Sequence, residues 1–402
     1  MEVLAAYLPQ DRCRALARNA ALPDRSAGAV LFADISGFTP LAETLAQTLG
    51  PRRAAEELTV HLNAVYDALI REVEVWGGSV IAFAGDAITC WFDADAGLHA
   101  TASALAMQNA MTRFATIRVA DGREISLVVK TSVVAGPARR FVTGDPAIRL
   151  LDILAGHTLE RLAATAAVTK RGEVVLDEST AVALADQVEV REWRSGAGPE
   201  GRFGLIERLA RTVNAEAPAR LASPAEELTR PWLIPDVYAR LRAGLGEFLT
   251  ELRPAVALFL KFEGIDDDDE AAGDKLNAFV CWIQRLLQPY EGFLLDLNVG
   301  DKGSYLYCAF GAPIAHEDDT RRALHVAAKL RRAPAEFPFL RTVQIGISRG
   351  TMRTGAYGGS TRRTYGVLGD DVNLAARLME KATPGEVLVS GRIHEDCETD
   401  FD

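Results

Sequence analysis

The sequence predicts an α+β fold made of two similar domains, each an antiparallel sheet covered by helices on one face. The first observation behind this prediction is an internal repeat, because strand and helix patterns return in the same order in both halves of the chain. The second is length, since 402 residues suggest two or three domains at roughly 100–200 residues each. The third is composition, because 49% hydrophobic and 25% charged residues are ordinary values for globular domains.

The first half of the chain carries the more complete copy of the repeat. A predicted N-terminal helical segment (1–28) precedes a short apolar strand, Ala29–Phe32, and a long helical pattern then runs through Arg71. Two apolar runs flank Ala84-Gly85-Asp86, which is the pattern of a hairpin with a tight turn. The remaining predictions are a helix at 96–113, a strand at 125–134, a helix at 158–167, a strand at 173–176 and a closing hairpin at 188–193 and 203–207.

The second half repeats this order without the closing hairpin. Its predicted elements are a strand at 256–262, a helix at 274–287, a hairpin at 292–299 and 304–310, a helix at 319–331, a strand at 342–347, a helix at 373–381 and a strand at 386–390. The proline-rich stretch 211–235 is predicted to be a linker between a first domain at 29–210 and a second at 236–402. We expect the second domain to be truncated, with fewer strands and poor packing after Ile393.

Charge and cysteine usage exclude several classes of protein. The chain has 44 Lys+Arg against 55 Asp+Glu, a formal charge of −11, which argues against a nucleic-acid partner. Since no apolar run approaches the roughly 18 residues of a membrane helix, no membrane partner is expected. Five scattered cysteines without a CxxC pair indicate a disulfide-free, soluble protein of the cytoplasm.

Two aspartates in the first half are candidate ligands for a metal ion. Asp34 ends a buried strand and is followed by Ser36-Gly37-Phe38-Thr39, which opens a helix, while Asp86 lies in the predicted hairpin turn. Carboxylates from adjacent strands beside the free N–H groups of a helix start would suit Mg²⁺ and phosphate. The alternative is that Asp34 caps the helix and Asp86 forms the turn.

The second half lacks both carboxylates, because the repeat aligns Asp34 with Lys261 and Asp86 with Ser304. Instead it places Asn373 and Arg377 at i and i+4, on one face of a helix. The Arg fork suits phosphate oxygens, and an Asn amide can orient a hydroxyl. A surface Arg on an amphipathic helix is the alternative. The complementarity of the two halves favours a site that they share.

Three motifs resemble the catalytic domain of the class III nucleotidyl cyclases. They are Phe32-Ala33-Asp34-Ile35-Ser36-Gly37-Phe38, Phe83-Ala84-Gly85-Asp86 and Gly369-Asp370-Asp371-Val372-Asn373-Leu374-Ala375-Ala376-Arg377. The tandem arrangement is most similar to the soluble, bicarbonate-responsive adenylyl cyclases and their bacterial relatives. The resemblance, which spans Ala29 to Ser390, implies two ferredoxin-like domains paired head to tail as a monomeric intramolecular pseudo-dimer. It also implies one catalytic cleft, a degenerate twin and further C-terminal regulatory domains in the full-length protein.

The resemblance assigns a role to each matching residue of the first half. Asp34, Asp86 and the Ile35 carbonyl would hold two Mg²⁺ ions, for which Mn²⁺ can substitute. The backbone of Ser36, Gly37, Phe38 and Thr39 would hold the terminal phosphates. Lys130 matches a pyrophosphate-binding lysine; a solvent-facing strand lysine is the alternative reading.

In the second half, the resemblance implies that Lys302 reads adenine, Asn373 orients the ribose and Arg377 neutralises charge on the α-phosphate. The family's second base-reading side chain, usually Asp or Thr, falls on Gly366, so base selection would depend on Lys302 and on backbone groups at Gly366 and Val367. Ala82 replaces the lysine of the bicarbonate pocket, and bicarbonate stimulation is therefore expected to be weak or absent.

The resulting expectation is an adenylate cyclase that converts ATP into 3′,5′-cyclic AMP and pyrophosphate by two-metal-ion catalysis between the two domains. A regulatory module that binds ATP without turning it over is one alternative, and Gly366 favours it. A guanylate cyclase is another, although that activity would call for an acidic residue at the position of Lys302.

Overall fold

The computed structural model describes residues 4–119, 121–196, 201–215, 223–245, 250–299 and 304–397. Within these residues the chain forms two large sheets, each with helices packed against it. The predicted α+β pseudo-dimer is confirmed. The elements of the first half are α1 (Gln10–Ala17), β1 (Arg25–Ser36), α2 (Phe38–Leu49), α3 (Pro51–Val75), β2 (Ser79–Ala84), β3 (Ala87–Asp93), α4 (Leu98–Met111), β4 (Ile117–Arg118), β5 (Glu124–Ile125), β6 (Val128–Thr143), β7 (Leu151–Ala155), α5 (His157–Val168), β8 (Val174–Asp177), α6 (Glu178–Ala183), β9 (Val188–Ser195) and β10 (Arg202–Leu209).

Two short helices, α7 (Glu226–Thr229) and α8 (Pro235–Arg242), lie between the sheets in the sequence. The elements of the second half are β11 (Glu251–Glu263), α9 (Ala272–Leu287), β12 (Phe293–Asn298), β13 (Ser304–Phe310), α10 (Asp319–Leu330), α11 (Ala333–Glu336), β14 (Thr342–Gly358), β15 (Arg363–Leu368), α12 (Asp370–Lys381), β16 (Val387–Val389) and α13 (Gly391–Cys397).

The strand orders of the two sheets confirm the internal repeat. The first sheet runs β2-β3-β1-β6-β8-β10-β9 with β7 beside β6, and the second runs β12-β13-β11-β14-β15 with β16 beside β14. In β1, Asp34 stands opposite Ala87 and Lys130, and in β11 Lys261 stands opposite Tyr305 and Gln344. These equivalent registers confirm that Lys261 replaces Asp34 in the second copy.

The described residues give eight strands in the first sheet and six in the second. The prediction of fewer strands in the second sheet is therefore confirmed for this part of the chain. The difference is the hairpin β9–β10, which has no counterpart among the described residues of the second half. The expectation of poor packing after Ile393 is wrong at Cys397, which is 5% exposed. Helix α13 packs the side chains of Ile393 and Cys397 against the second domain.

Two predicted segment boundaries differ in the structure. The N-terminal segment is helical over α1, but β1 already begins at Arg25. The predicted linker contains α7 and ends in Trp232, Leu233 and Ile234, which are 8%, 3% and 3% exposed and belong to a core cluster with the second sheet. Apolar burial therefore orders the last part of this proline-rich stretch despite its composition.

The longest strands, β6 and β14, extend beyond their own domains. Phe141 on β6 packs in the core of the second domain, whereas Tyr357 on β14 packs in the core of the first. Hydrogen bonds fix both extensions: the Gly144 N–H donates to Asn277 Oδ1 over 2.9 Å, and the Ser360 N–H donates to Asp67 Oδ1 over 2.6 Å. Each domain thus completes the core of the other, and the pairing is head to tail.

We predict that Phe141→Ala lowers the free energy of unfolding by about 3–5 kcal/mol, because it empties a packed site at the domain boundary. The matched control is Val142→Ala on the same strand, since Val142 is 42% exposed and Phe141 only 5%. Urea unfolding monitored by circular dichroism measures both variants. Equal losses in the two variants would contradict the role given to Phe141.

Candidate functional site

Asp34 and Asp86 meet where β1 ends and the β2–β3 hairpin turns. Gly85 and Asp86 form a two-residue turn between the paired Ala84 and Ala87. The Ile35 N–H donates to the Asp86 carbonyl oxygen over 3.3 Å, which joins the turn to β1. The Tyr66 hydroxyl on α3 donates to the Gly85 carbonyl over 2.9 Å. Both carboxylates are therefore held by rigid elements at one edge of the first domain.

Negative charge at this edge is incompletely neutralised. Burial, and secondly the charge of Asp34, raises the pKa of Asp86 from 3.8 to about 6, although Lys130 acts in the opposite direction. Lys130 Nζ lies 2.9 Å from Asp34 Oδ2, and each of these side chains is 26% exposed. One ammonium group thus faces two carboxylates.

The chain turns from β1 into α2 at Gly37. Its φ of +112° lies in the left-handed region, and a Cβ there would collide with the Ser126 carbonyl oxygen, so both conformation and space require glycine. The first N–H groups of α2, from Phe38 and Thr39, have no acceptor within the helix. This turn therefore presents hydrogen-bond donors beside Asp86.

Helix α12 provides the opposite wall of the site. It lies so close to β14 that a Cβ at Gly346 would collide with the backbone of Ala375 and Met379. The Ser348 hydroxyl donates to Asp371 Oδ1 over 3.0 Å and fixes the first turn of the helix. Asn373 and Arg377, one turn apart, are exposed on this helix.

A cavity of about 760 Å³ separates the two walls. The predicted residues that line it are Phe38, Thr39, Asp86, Gly366, Val367 and Asn373. The remaining predicted residues of the described chain do not line it: Asp34, Ile35, Ser36, Gly37, Lys130 and Arg377. Lys302 lies outside the described residues. The cavity therefore brings Asp86 and Asn373, from different domains, to one space.

The equivalent cleft on the other side of the pseudo-dimer has different chemistry. This polar cleft of about 450 Å³ is lined by Lys261 and Ser304 from the second domain and by Glu160 from the first. The carboxylate pair is absent at the two matching positions, and a glutamate faces the cleft from helix α5. The two clefts are thus related by topology and not by their side chains.

Sequence reasoning missed Arg353, which lines the cavity, and Tyr66, whose hydroxyl holds the turn at Gly85. Arg353 is 6% exposed, and its Nε donates to Thr59 Oγ1 over 2.9 Å, but its Nη1 has no partner in the described part of the chain. Burial lowers the pKa of Arg353 to about 10. Tyr66 falls in the apolar stripe of a long helix, and no local signal distinguishes it from core residues.

Oxygen donors at this edge suit a hard divalent cation. No group of three or more His, Cys, Asp or Glu side chains converges on a possible metal position within the described residues. A cation would therefore be held by Asp34 and Asp86 together with main-chain and ligand oxygens. The raised pKa of Asp86 fits this, because a cation would relieve the repulsion from Asp34.

We predict that Asp86→Asn stabilises the metal-free protein. Because folding raises the pKa of Asp86 from 3.8 to about 6, ionisation disfavours the folded state, and stability is lost as the pH rises through that window. In EDTA at about pH 7.5, the variant should gain about 1–3 kcal/mol in free energy of unfolding, and at about pH 4 the gain should vanish.

Thermal and urea unfolding at the two pH values measure this difference. The exposed Asp186 supplies the control, since Asp186→Asn removes a carboxylate far from the cavity. A lower stability of Asp86→Asn than of the wild type at the higher pH would refute the electrostatic argument.

Comparisons with known proteins agree with the geometry. Residues 271–401 match the adenylate and guanylate cyclase catalytic domain. Adenylate cyclase type 10 of Rattus norvegicus is 25% identical over 383 residues, which cover 88% of this chain and 24% of that protein. The Homo sapiens protein of the same name is 24% identical, with 88% and 24% covered. The chain thus spans about a quarter of the length of these curated relatives.

A class III adenylyl cyclase-like ATP-binding protein from Pseudomonas aeruginosa superimposes with a TM-score of 0.59 at 14% identity, covering 92% of this chain and 85% of that one. At this identity the likeness concerns the fold. Among the described helices, none has the length and apolar character needed to span a membrane. The resemblance to the class III nucleotidyl cyclases is therefore confirmed: residues 271–401 match the adenylate and guanylate cyclase catalytic domain, and 88% of the chain aligns with the adenylate cyclases of type 10.

Proposed function

We propose that the chain is an adenylate cyclase that converts ATP into 3′,5′-cyclic AMP and pyrophosphate. The observation that carries this proposal is the cavity between the domains, where Asp86 of one domain faces the same space as Asn373 of the other. Its volume of about 760 Å³ lies within the usual range of small-molecule sites. The names of the relatives, adenylate cyclase type 10, support ATP as the substrate.

The first domain would bind the phosphates and their metal ions. Asp34, Asp86 and the Ile35 carbonyl would hold two Mg²⁺ ions. Bound there, such ions would lower the pKa of the ribose 3′-hydroxyl and offset the negative charge of the departing pyrophosphate. The N–H groups from Ser36 to Thr39 would hold the terminal phosphates, and Lys130 would move from Asp34 to the pyrophosphate.

The second domain would bind the nucleoside and the reacting phosphate. Asn373 would orient the ribose so that the 3′-oxygen lies in line with the α-phosphorus, and Arg377 would neutralise charge that develops on the α-phosphate oxygens. The new bond joins the 3′-oxygen to phosphorus, and the bond to the β-phosphate oxygen breaks. Arg377 is suited to this because the described residues give it neither an ion pair nor a hydrogen bond.

Base recognition would involve Lys302 and the wall formed by Gly366 and Val367. The Tyr307 hydroxyl already donates to the Val367 carbonyl over 3.2 Å, which fixes the direction of that group. We further propose that the enzyme is monomeric and cytoplasmic, and that the domains extend over 29–210 and 236–402. The two sheets within one chain support a monomer, because both walls of the cavity come from the same polypeptide.

A second candidate function is ATP binding without turnover. The 2.9 Å pair between Lys130 and Asp34 favours it, since a protein cation already neutralises one of the two carboxylates. The structural neighbour from Pseudomonas aeruginosa is described as an ATP-binding protein, which agrees with this alternative.

One assay separates the candidates. Purified protein is incubated with ATP or GTP, in Mg²⁺ and in Mn²⁺, and cyclic nucleotide and pyrophosphate are quantified together. The proposed function requires equal amounts of cyclic AMP and pyrophosphate from ATP. ATP binding without cyclic AMP would support the second candidate, and cyclic GMP as the main product would identify a guanylate cyclase.

We predict that Asp34→Ala and Asp86→Ala each reduce cyclic AMP formation at least about a hundredfold, because each removes an oxygen ligand of the metal ions. Circular dichroism should show that both variants remain folded. Asp186→Ala serves as the control and should retain wild-type turnover. Near-normal turnover of either site variant would refute the metal assignment.

We also predict that Arg377→Ala lowers kcat about 10²–10³-fold with little change in KM, since it loses a contact that strengthens in the transition state. If each chain contains one complete site, mixing Arg377→Ala with Asp86→Ala should restore nothing. Steady-state kinetics of each variant and of the equimolar mixture test this. Recovery of activity on mixing would indicate a site built between two chains.

A further inference from the structure

The side chain of Tyr357 fills the space beside Gly366, which lies on the neighbouring strand. Gly366 on β15 pairs with Gly355, and Tyr357 follows two residues later on β14. A Cβ added at Gly366 would lie 2.8 Å from Cε1 of Tyr357 and 3.3 Å from its hydroxyl oxygen. The phenol ring therefore fills the volume that a side chain at position 366 would need.

The ring of Tyr357 is held rigidly. It is 5% exposed and packs against two residues of the first domain: Tyr66, with ring centroids 6.1 Å apart, and Phe83, at 5.7 Å and an interplanar angle of 78°. This packing fixes the position of the hydroxyl oxygen, about which only the O–H bond can rotate. A polar atom is thus presented at a defined point of the domain boundary.

The hydroxyl of Tyr357 makes no hydrogen bond to any residue in the described part of the chain. Burial raises the pKa of Tyr357, so the group stays protonated and can both donate and accept. Because Tyr357 lines the cavity, a ligand bound there can supply the hydrogen-bond partner that the protein does not. Tyr357 lines the same cavity as Asp86, Gly366 and Asn373.

We propose that the Tyr357 hydroxyl accepts a hydrogen bond from the 6-amino group of the adenine base, in place of the side chain that Gly366 lacks. This inference rests on the proposed function, because it requires a nucleotide in the cavity with its base at the Gly366 wall. Tyr357 then contributes to purine recognition together with Lys302 and the wall at Gly366 and Val367.

The charge of Asp296 favours an amino group over a carbonyl at this point. Asp296 lines the same cavity, is only partly buried and forms no ion pair within the described residues. In addition to burial, its charge raises the pKa of Tyr357, while the cations Arg353 and Arg362 act in the opposite direction. A nearby carboxylate attracts the phenolic proton, which turns the oxygen lone pairs toward an incoming donor. Adenine offers that donor at position 6, where guanine offers an acceptor.

The test is a thermodynamic cycle that removes the Tyr357 hydroxyl, the 6-amino group of the nucleotide, or both, and compares the effects on binding. Equilibrium dissociation constants are measured for ATP and for purine riboside triphosphate, which lacks the 6-amino group, with the wild type and with Tyr357→Phe. Ca²⁺ replaces Mg²⁺ in the binding measurements. Cyclic AMP formation is assayed in parallel with Mg²⁺. Wild type should bind ATP about three- to tenfold more tightly than the analogue, and the ratio should fall to about one in Tyr357→Phe.

Tyr290→Phe is the matched control, because it removes a tyrosine hydroxyl that does not line the cavity, and its ratio should equal that of the wild type. A ratio that Tyr357→Phe leaves unchanged overturns the inference, even where cyclic AMP is formed. A ratio that depends on Tyr357 without any cyclic AMP formation supports the inference and refutes the proposed activity. Equal binding of both nucleotides by the wild type also overturns it.

Discussion

The reciprocal packing of β6 and β14 is the constraint on which the rest of the structure depends. Each strand places one aromatic side chain, Phe141 or Tyr357, in the core of the opposite domain. Because protein interiors are close-packed, such exchanged side chains resist any change in the relative position of the domains. The separation between Asp86 and Asn373 follows from that packing, because the two residues belong to different domains.

Some of the costly polar groups of the structure lie around the cavity. Asp86 is a carboxyl whose pKa burial raises to about 6, and Arg353 carries a buried Nη1 without a partner among the described residues. Each disfavours the empty folded state, and each would be relieved by a charged or polar ligand. The exchanged strands supply enough apolar packing to hold these groups in place.

Local signals in the sequence were sufficient for the hairpin at Gly85-Asp86 and for most helices, because turn chemistry and apolar periodicity act within a few residues. The substitution of Lys261 for Asp34 was also predictable, since the repeat aligns the two strands. The carboxylates and Asn373 could therefore be expected near one cleft. Only the structure defines which of them line the cavity.

Elements that depend on the opposite domain could not be predicted. The carboxyl-terminal half of β6 contains Arg139 and Arg140, which read as surface residues, yet both are buried and paired with Asp24, Asp11 and Asp152. Strands β7 and β15 pair with these extensions and were missed with them. The ion pairs with Asp24 and Asp11 join residues more than a hundred positions apart, and no short sequence window contains both partners.

The close contact between α12 and Gly346 has a consequence for motion. A helix whose backbone rests on a glycine of the adjacent strand has no room to slide or tilt inward, so the wall that carries Asn373 acts as a fixed platform. The opposite wall differs, because α2 is bounded by Gly37 and Gly50, both at positive φ, and is joined to its sheet at one end only. If the cleft closes around a bound molecule, we therefore expect α2 to move toward α12 rather than the reverse.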